Sequence, residues 1–359
     1  MPQNHEVDPL DELTRIAAGL AGKRVVMTGA SGFIGRRLLQ VLGGAGVAPV
    51  VLIRDRRAAS RLRDLGAIAV ICDLARGQIP SQALRGAEVL IHLAYDMRAS
   101  GTENLRAGAE LFTQAEAAQV GRIVHLSSAV VYDDWPEGPI AEDSPRWGAG
   151  GSGYRQAKIG LERRLAEGSL PSVILQPTIV YGPGSALWTD APIAALERGV
   201  VVLPDPPGLA PLVHVDDVVQ AIIRAALLPD PGCGRTFLIS GADPVDWASY
   251  LRGLSRRIGR GEVRLERMTP PPPVSDKATP PSITARISRL GRRLVGRRAF
   301  EHLAAGLRRL RPASGPVRPD SGTLRLYMAS PQVSIAAARN QLGYRPLVDL
   351  DRGLGTIAR

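Results

Sequence analysis

Cysteine is almost missing from this 359-residue sequence, Cys72 and Cys233 being the only two. That excludes a disulfide framework and a cysteine-based zinc site, so any redox chemistry must come from a cofactor. Long apolar runs are missing too. None approaches the roughly 20 residues that cross a bilayer, and the N-terminus, MPQNHEVDPLDEL, carries acids where a signal peptide starts with bases. The expectation is a cytoplasmic protein. The five histidines (His5, His92, His125, His214, His302) include no pair at metal-ligand spacing, and no metal is expected. Lysine is scarce as well: of 45 basic residues only Lys23, Lys158 and Lys277 are lysines.

A net charge of +11 suggests nucleic acid until its location is considered. Residues 283–311 hold nine arginines against Glu301, so the rest of the chain is close to neutral. That segment lacks interleaved aromatics and no nucleic-acid motif accompanies it, so no nucleic-acid partner is expected. Its Ile283, Ile287, Leu290, Leu294, Leu303, Leu307 and Leu310 recur at helical spacing. Such a stretch either packs its leucines over a substrate cleft or lies on an anionic membrane, here the inner membrane surface.

What is present is an alternation of short β-branched runs with helical stretches from Gly22 to about Tyr181. Strands are expected at Arg24–Thr28, Val50–Arg54, Ala69–Cys72, Val89–Leu93, Arg122–Ser127 and Ser172–Gln176. Their runs are nearly all apolar, as in strands buried on both faces. The fold class is therefore α/β, a doubly wound parallel sheet of the Rossmann type, with a smaller C-terminal substrate-binding region. Residues 1–21 read as an N-terminal extension, 22–181 as the dinucleotide-binding domain and 182–359 as mainly the substrate region. Within the last, 212–240 returns to the sheet and 269–282 is a proline-rich loop.

The first strand runs into TGASGFIGRRLLQVL, with Gly29, Gly32 and Gly35 where strand gives way to helix. Glycine lets backbone approach a pyrophosphate, and the helix N-terminus offers free N–H groups to it. Ser31, Phe33 and Ile34 of the same turn are counted with the cofactor-binding residues. At the end of the second strand an NAD enzyme usually places an acid for the ribose 2′-OH. Here the sequence is VVLIRDRRAA, with Arg54 at that place and Asp55 one residue on. Arg54 suits a 2′-phosphate and favours NADP, whereas a one-residue shift would bring in Asp55 and NAD.

Lys158 falls four residues after Tyr154, which puts both on one helical face. A phenol of pKa about 10 must fall toward 7 to act as a base at neutral pH, and an adjacent ammonium favours that shift. Either Ser127 or Ser128, at the carboxyl end of the fifth strand, can hydrogen-bond a reacting oxygen and relay its proton.

Together TGASGFIG, Asp73-Leu74, HLA at 92–94, SSAVVY at 127–132, Tyr154 with Lys158, PTIVYGPG at 177–184, VHVDD at 213–217 and LGYRP at 342–346 resemble the NAD-dependent epimerase/dehydratase family, the extended short-chain dehydrogenases/reductases. The resemblance spans about 22–265 and 326–354. It implies Ser128 as the catalytic serine beside Tyr154 and Lys158, with Lys158 also on the cofactor ribose. It further implies Asp73 and Leu74 near the adenine, Leu93 and Ala94 beside a ribose, Pro177 near the nicotinamide, and a homodimer through helices near Asn104–Gln119 and Tyr154–Leu165. Ala129-Val130 stands where family dehydratases carry Asp-Glu, which argues against dehydration. Gln176 replaces the family's arginine before the proline, and Asp133 its glycine after VY. The expected activities are a nucleotide-sugar 4-epimerase or ketoreductase acting on a nucleotide-sugar; an NADP-dependent reductase of a non-sugar carbonyl, similar to the 3β-hydroxysteroid and dihydroflavonol branch; or a non-catalytic dinucleotide sensor.

Overall fold

The computed structural model describes residues 8–132, 138–146, 153–271 and 315–358. The basic segment 283–311, Asp133 and most of the proline-rich stretch lie outside them. Seven parallel strands form the central sheet: β1 (Val25–Thr28), β2 (Val50–Ile53), β3 (Ile68–Ile71), β4 (Val89–His92), β5 (Ile123–Leu126), β6 (Ser172–Pro177) and β7 (Arg235–Ile239). Their order is β7-β6-β5-β4-β1-β2-β3. Register is fixed by pairs such as Met27 with Val51 and Ile91, and Leu126 with Leu175.

The near-continuous apolar strands feed two cores at once, because alternate side chains point to opposite faces. Val25, Met27, Val51, Ile91, Val124 and Leu175 join one core; Val26, Leu52, Leu90, Ile123 and Ile174 join the other. The first face is covered by α1 (Pro9–Ala17), α2 (Phe33–Gly44) and α5 (Val215–Leu227), the second by α3 (Gly101–Ala117) and α4 (Gly153–Ala166). β3 departs from the expected double burial. It is the outermost strand, with only β2 beside it, and Ile68 and Ile71 remain exposed.

The stretch ahead of Gly22 is an amphipathic helix packed into the first core. Asp8 caps it, Pro9 opens its first turn, and Leu13, Ala17 and Leu20 are fully buried. α3 starts with a capping box between Ser100 and Glu103. Its first residue meets α4 closely, since a Cβ on Gly101 would sit 2.0 Å from Gly153 O. This contact fixes the helix start that carries Tyr154.

Beyond β6 the chain builds a third core around Ile179, Tyr181, Leu203, Trp247, Tyr250 and Leu254. Arg235–Ile239 pairs with β6 in the main sheet, whereas Leu212–His214 pairs in parallel with Ile179–Tyr181 beside it. The C-terminal stretch is tied back to this part of the chain: Asp217 of VHVDD accepts from Leu347 N (2.6 Å), just after LGYRP, and buried Tyr344 of LGYRP donates to Ser240 O (2.8 Å), just after β7. Among the described residues no helix is long and apolar enough to cross a membrane.

Candidate active site

The chain leaves β1 toward β2 and β3, then returns to lay β4 on the other side of β1. Ligands bind outside the carboxyl ends of strands where the order reverses in this way. A groove of about 300 Å³ opens there, lined by Gly29, Ser31, Gly32, Arg54, Asp73, Leu74, Leu93 and Ala94 among others. Phe33 lines a different cavity with Arg36, Arg37 and Asp216, and Ile34, Gly35, Lys158 and Pro177 do not line the groove.

The turn after β1 fits a pyrophosphate. Gly29 has φ +72°, and a Cβ there would lie 2.7 Å from the backbone of Leu93; a Cβ on Gly35 would lie 2.2 Å from Gly29 O. Only glycine lets strand end, turn and helix approach this closely. Gly32 caps α2 without a side chain, so no side chain occupies the first N–H groups of that helix.

Strand β2 stops at Ile53, one residue short of expectation, which releases Arg54 into the groove. Its guanidinium pairs with Asp96 (2.7 Å), and Asp96 also meets Arg98 (3.4 Å). Asp55 is committed elsewhere: its carboxylate accepts from Arg57 N (2.9 Å), capping the turn at Arg56–Ala58, and it does not line the groove.

The paired serines after β5 resolve by strand alternation, which sends adjacent side chains opposite ways. Ser127 is buried and donates to Glu162 Oε1. Ser128, with extended backbone, accepts from Val130 N (3.3 Å), and its hydroxyl lies near enough to the Tyr154 phenol to favour the phenolate. Lys158 lies one turn further along α4, its Nζ donating to Leu126 O (2.6 Å) and sitting 5.7 Å from the Tyr154 ring centroid. Ser128, Tyr154 and Lys158 thus converge.

Burial pushes the Lys158 ammonium down to about 8, opposed by the carboxylate of Glu162. Burial pushes the Tyr154 phenol up, opposed by the Ser128 hydroxyl. His92 and His125 are stacked at 5.1 Å, and burial plus the nearby Lys158 charge holds both neutral, His92 at about 3.

Three site residues escaped the sequence reading. Tyr95, which lines the groove, packs edge-on against Tyr154 (4.7 Å) and lies 5.6 Å from Lys158 Nζ; nothing in its spacing signalled this. Glu162 stands four residues after Lys158, so the Tyr154–Lys158 helical face extended one more turn would have found it. It accepts from Ser127, from Gln176 Nε2 (2.8 Å) and from Arg146 Nε (2.9 Å). Gln176 in turn accepts from Tyr132 OH (2.7 Å). Arg146 therefore supplies the cation beside Glu162, while Gln176 is a buried neutral donor.

The model of the NAD dependent epimerase/dehydratase family matches residues 25–240, and the chain belongs to that family. It is 28% identical over 253 residues to a 4-hydroxy-2-methyl-3-oxo-4-farnesyl-3,4-dihydroquinoline-1-oxide ketoreductase of Stigmatella aurantiaca, covering 66% of this chain and 75% of that protein. It is 26% identical over 251 residues to a ceramide reductase of Caulobacter vibrioides, covering 69% and 74%. The structure superposes on the UDP-glucuronic acid 4-epimerase of Bacillus cereus in complex with NAD with a TM-score of 0.65 at 17% identity, covering 93% and 97% of the two chains. Like its relatives the chain is a nicotinamide-dependent enzyme of the extended short-chain type with a Rossmann fold.

Proposed function

We propose that this protein is an NADPH-dependent reductase of a lipid-like ketone, with Ser128, Tyr154 and Lys158 as its catalytic residues. The observation that carries the cofactor choice is Arg54, which lines the groove while Asp55 is spent on a cap. NADPH serves net reduction, and a guanidinium at this place suits its 2′-phosphate. Support for the substrate class comes from the two reductase relatives, one named for a farnesyl-bearing oxo compound and the other for ceramide.

When bound, the dinucleotide would supply the hydride for the carbonyl carbon. Ser128 Oγ hydrogen-bonds the carbonyl oxygen and holds it next to the Tyr154 phenol. The Tyr154 proton passes to that oxygen, so one hydride and one proton turn the ketone into a secondary alcohol. The phenolate left behind is favoured by the Lys158 ammonium. Glycine backbone and the α2 N-terminus would hold the pyrophosphate, with Arg54 at the adenosine end.

The test follows NADPH consumption by the full chain against β-keto esters of increasing alkyl length, with UDP-glucose and UDP-glucuronic acid in parallel. Turnover that rises with alkyl length is expected. Interconversion of a UDP-sugar with its 4-epimer on retained NAD, without net NADPH consumption, would replace this reading with the nucleotide-sugar epimerase.

Arg54→Ala is expected to weaken NADPH binding about 10- to 100-fold, from the loss of charge-assisted hydrogen bonds worth about 1.5–3 kcal/mol. NADH binding should change less than about threefold, since its ribose carries no phosphate for the guanidinium to meet. Equal weakening of both by fluorescence titration would remove Arg54 from the 2′-phosphate site.

A further inference from the structure

Glu162 is a carboxylate buried inside an α/β core, where an uncompensated charge is strongly unfavourable. It is compensated by three donors from three different segments: Ser127 after β5, Gln176 on β6 and Arg146. Such a group is retained either as a fold-holding pin or because something nearby needs its charge. Two facts favour the second. Ser127, which it holds, is the immediate neighbour of Ser128. Lys158 lies one helical turn away, with no carboxylate among its hydrogen-bond partners in the described residues, its Nζ donating to the carbonyl of Leu126.

We propose that Glu162 is a positioning residue of the catalytic centre, anchoring Ser127 so that Ser128 faces Tyr154 and supplying the negative charge that keeps buried Lys158 an ammonium. The proposal rests on the Ser128–Tyr154–Lys158 reading above. Among the described residues the groups that face Lys158 are few. Glu162 lies on its own helix with Tyr154, Tyr95 follows β4, and His92 and His125 come from β4 and β5. The phenols are neutral at ordinary pH and both histidines are held neutral, so among the described residues Glu162 is the anion that opposes the desolvation of Lys158.

Lys158 can hold the cofactor ribose and favour the Tyr154 phenolate only while charged, so NADPH affinity should fall as pH rises through its deprotonation near pH 8. Removing the Glu162 charge moves that step to lower pH by about one unit. Removing the opposing cation at Arg146 moves it upward.

The test is the dissociation constant of NADPH, by fluorescence titration across pH, for the full chain and for Lys158→Met, Glu162→Gln, Glu162→Asp and Arg146→Gln. Loss of the step in Lys158→Met assigns it to Lys158; a step that survives there would sink the underlying Lys158 reading. With the step assigned, a downward shift in Glu162→Gln, near-normal behaviour in Glu162→Asp and an upward shift in Arg146→Gln are expected. If the step stays at its wild-type pH in both Glu162→Gln and Arg146→Gln, Glu162 only pins the fold. Arg146 is partly exposed, so its variant decides the question alone should Glu162→Gln fail to fold.

Discussion

Tyr154→Phe is expected to lower kcat for carbonyl reduction by about 10²- to 10⁴-fold, the range in which a positioned proton donor contributes. NADPH affinity should stay within about threefold of wild type. The substitution removes one oxygen and keeps the ring, so the edge-on packing against Tyr95 at 4.7 Å and the contact with Lys158 survive. What disappears is the phenol proton that the proposed mechanism passes to the reacting oxygen. Single-turnover measurements with NADPH and a β-keto ester separate the two effects. A variant with more than about a tenth of wild-type kcat would show that the proton comes from elsewhere.

The second large effect is on stability. Gly29→Ala combines a left-handed backbone at φ +72° with a Cβ 2.7 Å from the backbone of Leu93. Left-handed strain costs about 1–2 kcal/mol and overpacking about 1–3 kcal/mol, so a loss of roughly 2–5 kcal/mol is expected. Cofactor binding should fail with it, because the displaced β4 end forms the opposite wall of the groove. Gly22→Ala is the control: its φ is +77°, but a Cβ there meets nothing within 4 Å, so only the backbone strain of about 1–2 kcal/mol applies. Denaturant titration of both variants decides. Equal losses would mean that close packing between turn and strand is not what requires glycine at position 29.

Much of the fold could be read from the sequence because parallel strands buried on both faces leave plain apolar runs. Five of the six expected strands were marked by runs whose two faces are both buried. The sixth, Ile68–Ile71, has the same composition but lies at the sheet edge, and lateral position in a sheet leaves no mark in local sequence. The α1 helix escaped as a core element because nine residues of ordinary amphipathic pattern do not reveal which surface they will meet. At the site, Tyr154 and Lys158 were legible through their spacing, and Arg54 through its distance from the glycines. Choosing between Ser127 and Ser128 needed the resemblance or the strand's orientation. Tyr95 and Arg146 come from loops whose paths are set by tertiary packing, so no periodicity could reveal them. Glu162 could be reached only by asking what a buried lysine requires.

A site built for NADPH is tested most directly by the dinucleotide itself. Purified protein is denatured and any released dinucleotide identified by mass spectrometry, while NADPH and NADH are titrated into the emptied protein. An NADPH affinity at least about tenfold above that for NADH is predicted, as one charge-assisted contact at Arg54 requires. Tightly held NAD released on denaturation, with NADH bound as well as NADPH, would contradict it.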